Sequence, residues 1–313
     1  MYSSHRKYQV LLWCFLVLLV LQGCNRSSPA EDLEAASEGF VSSGFTGDLA
    51  TRLESMECLR RAMDSGKLND KQLGIAYYIR GITQYAGVYA PCEDYNRAIA
   101  DFEKSIELFP DFEGLGLYGT ATERCAMAYI GRGERYWADD EPERALQDAN
   151  KAIKVCPTLG RGYELRGRLF LAKGFYDLSL ADFDRIVEKR PSSYNYYLRG
   201  LPPLYKGNYD SAISYFSKAI EKRNEKAPGV IYTDDEGPKK YHEAHYRRAL
   251  AYERRGDLEK ALADAKIAFE AEPNDTDYQL LFNRLKGKKK HSSRTTSVIL
   301  PESSMAIGAV PSN

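Results

Sequence analysis

His242 and His245 stand three residues apart, a spacing that puts two imidazoles on one helix face and that a metal ion can use. His245, though, fills the place that Tyr77, Tyr163 and Tyr196 hold in segments of the same pattern, so packing is its expected role. Asp234-Asp235-Glu236 sets three carboxylates side by side, whereas a calcium loop spaces its oxygen ligands at alternate positions; the run reads as a solvated acidic turn. Asp101, Asp148, Asp182 and Asp264 recur at one place in successive segments, which suits pairing with equally recurrent arginines across helices better than acid–base catalysis. The sequence carries no glycine-rich phosphate loop, no zinc-ligand spacing and no nucleophile elbow. The expectation is a protein that is not an enzyme and needs no cofactor or metal.

The covalent chemistry to which the sequence does point sits near its start. His5-Arg6-Lys7 precedes an apolar run from Val10 to Leu21, uncharged and too short to cross a bilayer as a helix. The run ends in Leu21-Gln22-Gly23-Cys24. This resembles a bacterial lipoprotein signal, in which a small residue precedes a cysteine that is acylated and becomes the new N-terminus. The resemblance implies a signal peptide over residues 1–23, lipidation of Cys24 and a protein tethered in the bacterial cell envelope. Asn25 after the cysteine favours, by the same resemblance, the outer membrane facing the periplasm. Two or more acyl chains anchor stably, at about 0.8 kcal/mol per buried CH2. Residues 24–31, with Ser27-Ser28-Pro29, read as a short spacer. Loss of residues 1–23 removes Arg6 and Lys7 and no acid, leaving 42 of the 44 basic residues against 44 acidic ones. A domain so near neutrality has no electrostatic footprint for nucleic acid.

An exported domain stands in a compartment that permits disulfides. Beyond Cys14 and Cys24 the chain has Cys58, Cys92, Cys125 and Cys156, which allow three full pairings among which the sequence does not choose. Cys58 and Cys125 lie on apolar helix faces as small hydrophobes, and Cys92 is the one best placed to be bridged or reactive.

Positioning these residues falls to a repeated pattern. Tyr-x-x-Arg-Gly appears as Tyr77–Arg80–Gly81, Tyr163–Arg166–Gly167 and Tyr196–Arg199–Gly200, with His245–Arg248–Ala249 as a looser copy. A second set of packing residues recurs five times: Ala98–Phe102–Ser105–Pro110, Ala145–Ala149–Ala152–Pro157, Ser179–Phe183–Ile186–Pro191, Ala212–Phe216–Ala219 and Ala261–Ala265–Ala268–Pro273. The spacing fits pairs of antiparallel helices, the glycine letting the second helix approach the first and the proline ending the pair. Self-similarity of this kind marks a stacked solenoid.

The residues match the tetratricopeptide repeat, a helix-turn-helix unit, and the resemblance covers about Gln72 to Pro273. It implies an all-α fold: an α-solenoid of stacked helix-turn-helix repeats forming a right-handed superhelix over residues 32–286. That span takes in a degenerate first unit containing Cys58, Leu59 and Ala62, about five further units and a capping helix over Asp277–Lys286. Extra residues are expected to lengthen the hairpins around Tyr89–Tyr95 and Glu134–Glu143, and Pro202-Pro203 to kink or shorten a first helix. Asn224–Lys240 is a long insertion, and residues 287–313, opening with Gly287-Lys288-Lys289-Lys290, read as a disordered tail.

In such stacks the first helices line the concave face. The glycine register assigns to it Ile75, Tyr78, Ile82 and Tyr85; Arg161, Glu164 and Arg168; Tyr194, Tyr197, Leu201 and Tyr205; and Tyr246, Leu250 and Arg254. Aromatic residues flanked by arginine are the composition of an interface. The lysine and asparagine pattern with which chaperone-binding repeats clamp a C-terminal carboxylate is missing. The sequence therefore supports a non-enzymatic adaptor that holds a protein or extended peptide, similar in plan to bacterial repeat lipoproteins of the NlpI type. An accessory assembly subunit of a secretion, pilus or outer-membrane barrel machine is the alternative. If the lipoprotein reading holds, Cys24→Ala abolishes incorporation of labelled fatty acid and blocks signal processing; normal labelling and maturation of that variant would refute it.

Overall fold

The computed structural model describes residues 28–43, 49–85, 91–115, 119–224 and 238–296. Among these residues all regular structure is helical, in thirteen helices, and the chain divides into two compact units, Met1–Leu169 and Phe170–Asn313. The first unit holds α1 (Pro29–Ser43) and α2 (Leu49–Asp64), α3 (Asp70–Gln84) and α4 (Cys92–Leu108), α5 (Ala121–Ala138) and α6 (Pro142–Val155), and most of α7 (Gly160–Ala172). Each of the three pairs packs on itself, and α4 packs on α5 as well. The second unit holds the end of α7, α8 (Tyr176–Lys189), α9 (Ser193–Lys206) with α10 (Tyr209–Asn224), α11 (Pro238–Arg255) with α12 (Leu258–Ala271), and α13 (Thr276–Thr296). There α8 packs on α9, α10 on α11 and α12 on α13. This is the expected all-α solenoid of stacked helix-turn-helix units, with Cys58, Leu59 and Ala62 buried in the second helix of the degenerate first pair and α13 as the closing helix.

Helix starts follow local chemistry. Asn69 and Gln72 satisfy each other's backbone N–H at 3.0 and 3.1 Å, a capping box that begins α3, and Thr120 with Glu123 does the same for α5 at 3.1 and 3.0 Å. Gly207, with φ +89°, ends α9 in the left-handed conformation that glycine alone adopts without strain.

Within a pair the decisive contact is between a glycine and an aromatic ring. A Cβ on Gly81 would lie 2.7 Å from Phe102 Cε1, and one on Gly200 would lie 2.5 Å from Phe216 Cε1. Both rings are fully buried, flanked by the buried Ala98 and Ala212. The recurrent carboxylates pair across the same helices. Arg80 donates to both oxygens of Asp101 at 2.7 and 2.8 Å, Arg132 to Asp148 at 2.7 and 2.8 Å, and Arg248 to Asp264 at 2.7 and 2.8 Å. Arg199 departs from this by meeting Asp184 of α8. His245 is buried with Nδ1 2.8 Å from Asp264, the packing role expected of it. Burial raises the Asp264 pKa, but the bonds from Arg248 and His245 outweigh it and hold the carboxyl below its usual range.

Several sequence expectations need correction. Residues 29–31 are not spacer: Pro29 opens α1, and Ser28 and Glu31 bond each other's backbone N–H at 3.1 and 3.3 Å. The hairpin around Glu134–Glu143 is not lengthened, because the added residues extend α5 to Ala138 and only three residues separate it from α6. Pro202 and Pro203 do not shorten α9, which runs fourteen residues with both prolines buried in its last turns. Residues 287–296 continue α13, tied down where Lys288 meets Glu253 at 2.9 Å and Lys289 meets Glu259 at 3.3 Å. Cys92, Cys125 and Cys156 are free thiols, so none of the three pairings forms, while Cys58 is disulfide-bonded. Cys92 is thus not the bridged cysteine; burial pushes the Cys125 thiol up to about 12, which makes it inert. The signal, Cys24, Asp234–Glu236 and residues 297–313 lie outside the described residues.

The glycine contacts set a test with an unambiguous sign. In an unconstrained helix Gly→Ala stabilises by about 1 kcal/mol. Gly200→Ala should instead destabilise by about 1–3 kcal/mol in urea unfolding, because the Phe216 ring must move. Lys266→Ala, which breaks only an exposed pair to Glu270, should change stability by less than about 0.5 kcal/mol.

Candidate binding surfaces

Each unit carries its own cluster on its first helices. In the first, α3, α5 and α7 contribute Tyr85, Glu134, Trp137, Arg161 and Arg168. Arg161 lies 3.5 Å from Glu134 and 4.0 Å from the sulphur of Met127, and the Arg168 guanidinium stacks 4.9 Å above the Trp137 ring. The Glu134 side chain is only 28% exposed, and burial raises its pKa against the opposing pull of Arg161 and Arg168. Tyr85 packs edge-on against Tyr95 at 5.8 Å; burial raises its hydroxyl pKa, and the charges of Arg161 and Arg124 act against that.

In the second unit the centre is an ion pair. Glu243 accepts from Arg247 at 2.7 Å, from the Tyr278 hydroxyl at 2.9 Å and from the Tyr197 hydroxyl at 3.4 Å. Arg247 also donates to the Tyr205 hydroxyl at 3.3 Å and lies 5.2 Å above the Tyr246 ring. Around this pair Tyr194 stacks on Tyr197, Tyr205 on Tyr176, and Tyr246 leans on Tyr278. The Tyr197 hydroxyl is pushed well above its usual range by desolvation and by Glu243. For Arg247, burial favours the neutral form, yet Glu243 holds the guanidinium charged.

The residues assigned to the groove divide accordingly. Tyr78 is not a groove residue: it is fully buried against Phe102 and Phe112, its hydroxyl donates to Gly119 O at 2.5 Å, and burial pushes it up to about 12. Ile82 and Leu201 are likewise core. Tyr197 and Tyr246 are half-buried and support the surface more than they present it. Tyr85 and Tyr194 are half-buried, while Arg161, Arg168 and Tyr205 are exposed, Tyr205 by 50%. The physical reason is helix geometry. A residue three before the glycine lies one turn back on the face that the glycine packs, whereas residues six before it or five after it reach outward.

The same register extends to α5 and to the start of α11. Tyr129–Arg132–Gly133 is a further copy of the motif, and it makes α5 a first helix with Met127 at the place of Arg161 and Glu134 at that of Arg168. Counting back six from Ala249 reaches Glu243, the counterpart of Tyr194. Arg247 and Tyr278 have no such signal; only the packing of α11 and α13 brings them in.

Residues 197–276 match a tetratricopeptide-repeat model and residues 79–112 match another. Both segments are thus similar to tetratricopeptide repeats. Repeats of this family suggest a scaffold for protein interaction. Among solved structures, the chain is similar to YrrB, described as a tetratricopeptide-repeat protein with an unusual peptide-binding site, at 19% identity and TM-score 0.49, covering 71% of this chain and 95% of that one. It is similar also to a tetratricopeptide-repeat protein of Parabacteroides merdae (19% identity, TM-score 0.44, 86% and 90% covered) and to a thermophilic one of Thermus thermophilus (17%, 0.42, 68% and 98%). No curated protein matches the chain. Among the described residues no cluster of metal-ligating side chains occurs and no helix is long and apolar enough to cross a membrane.

The ion pair in the repeats of the second unit can be tested apart from binding. Glu243→Gln leaves a half-buried guanidinium without its carboxylate and should cost about 2 kcal/mol of stability. Tyr205→Ala removes a half-exposed ring and should cost less than about 0.5 kcal/mol. Equal effects in urea unfolding would mean that Glu243 does not hold the cluster together.

Proposed function

We propose that the chain is a lipid-anchored tetratricopeptide-repeat adaptor of the bacterial envelope, tethered through Cys24, that binds a partner protein or extended peptide without catalysing a reaction. The observation that carries the binding part is the tyrosine cluster of α9 and α11. Tyr194 and Tyr205 present ring faces already stacked on Tyr197 and Tyr176, beside a charge pair that neutralises itself. Rings held in place lose little conformational freedom on binding, which is what makes tyrosine effective at interfaces. The anchoring part is supported by the basic start, the apolar run and Leu21–Cys24, and the similarity in plan to the NlpI type rests on the same combination of signal and repeats.

Envelope crosslinking from a photoreactive residue at position 205, followed by mass spectrometry, identifies the partner. The double variant Tyr194→Ala, Tyr205→Ala should then weaken its capture by well over about tenfold, since an aromatic anchor often contributes about 2 kcal/mol or more. Thermal melting serves as the folding control. Undiminished capture by a folded double variant would move the interface away from this cluster.

A further inference from the structure

Four arginines on the first helices of the first unit are held in two different ways. Arg80 and Arg132 each spend two donors on an aspartate of the next helix, at 2.7–2.8 Å. Arg161 has one ion-pair contact, to Glu134 at 3.5 Å, and Arg168 is held by the Trp137 ring. Both lie exposed on one face of α7, seven residues apart and two turns along the helix, and the charges of both act on Glu134 of α5. A guanidinium satisfied by a carboxylate forms bonds of about 2.7–2.9 Å, usually in pairs, so Arg161 is short of a full partner.

We propose that this face takes an acidic segment of an extended peptide and that Glu134 is a built-in competitor for it, displaced from Arg161 and Arg168 and protonated when the ligand's carboxylate arrives. The proposal rests on the adaptor reading and adds the chemistry of the ligand and its dependence on pH. The groups that face Glu134 are Arg161, Glu164 and Arg168 from α7, with Tyr85 from α3 and Arg124 from α5 itself nearby. On α4 and α6, Glu103 turns to Tyr129, Asp148 to Arg132 and Arg144 to Tyr136. Burial already raises the Glu134 pKa, and its two arginines hold it down. A ligand carboxylate that takes those arginines raises it further, by removing the attraction and adding a like charge. Binding therefore takes up a proton, which comes from solvent, and affinity rises as pH falls toward the Glu134 pKa of the free protein. The ligand's own carboxylates, near 4 by ordinary values, stay ionised in that range.

The test is fluorescence anisotropy of the full chain with a labelled hexa-aspartate peptide and a hexa-asparagine control from pH 8 to pH 5.5. The acidic peptide should bind in preference to the control, and its affinity should rise as pH falls, by at most about tenfold per pH unit for one proton. Glu134→Gln should bind more tightly at pH 8 and lose the pH dependence, and Arg168→Gln should weaken binding at every pH. Glu134→Gln with unchanged affinity or an unchanged pH slope overturns the proposal, as does equal binding of the two peptides or none of either. If Glu134→Gln does not fold, a wild-type profile that is flat, or an Arg168→Gln variant with wild-type affinity, overturns it in the same way. None of these outcomes touches the adaptor reading, which stands or falls with partner capture at Tyr194 and Tyr205.

Discussion

The structure depends on how closely two helices of a pair approach, and a missing side chain sets that distance. At Gly81 and Gly200 an aromatic ring from the partner helix lies where a Cβ would be. Gly131 shows the same relation between pairs, with Tyr95 of α4 lying 2.6 Å from where its Cβ would stand. A glycine inside a helix is unfavourable by about 1 kcal/mol, and burying a phenylalanine side chain offsets that with roughly 1.5–3 kcal/mol. Once the helices touch at this distance, the arginine one position before the small residue reaches an aspartate of the second helix with both donors, as Arg80, Arg132 and Arg248 do in their pairs. The apolar contact sets the spacing and the ion pair fixes rotation, so the α3–α4 pair is defined by two contacts made at neighbouring residues, Gly81 with Phe102 and Arg80 with Asp101.

That constraint also decides what is left for binding. The face that holds the glycine is committed to packing, and in α3 Tyr78, one turn before Gly81, is committed with it as core. What remains on the first helices is a narrow strip. In the first unit it carries arginines around a half-buried glutamate, and in the second it carries tyrosines around a neutralised ion pair. One scaffold thus offers two chemistries. The difference arises from residues at equivalent places: Arg161 against Tyr194, and Arg168 against Leu201.

The first unit also shows how a sequence can be misread while its pattern is right. Tyr129–Arg132–Gly133 obeys the motif, yet its second helix has Ala149 where Phe102, Phe183 and Phe216 stand in other units. The smaller residue is accommodated because Leu165 fills the space, 2.9 Å from where a Gly133 Cβ would be. Ser28-Pro29-Ala30-Glu31 is a similar case. Its composition suits a spacer, but serine, proline at the first helical position and glutamate three after the cap also begin a helix, and α1 begins there.

The sequence by itself determined the fold class, the buried glycines and the pairing of recurrent aspartates with recurrent arginines, as at Asp101 and Asp264, because these depend on spacings along one or two adjacent helices. The burial of Cys58, Leu59 and Ala62 in a degenerate pair was legible for the same reason. Only the tertiary structure decided which side chains are reachable. Whether Tyr85, Tyr194 or Tyr197 faces a partner depends on what the next helix places against it: Tyr95 in one case, Glu243 and Phe216 in another. The same holds for the ends. Lysines at 288 and 289 read as tail, and they are helix because Glu253 and Glu259, some thirty residues earlier, stand where the next turn passes. A repeat specifies its own packing face locally, whereas exposure is a property of the neighbour, and no spacing within one helix contains it.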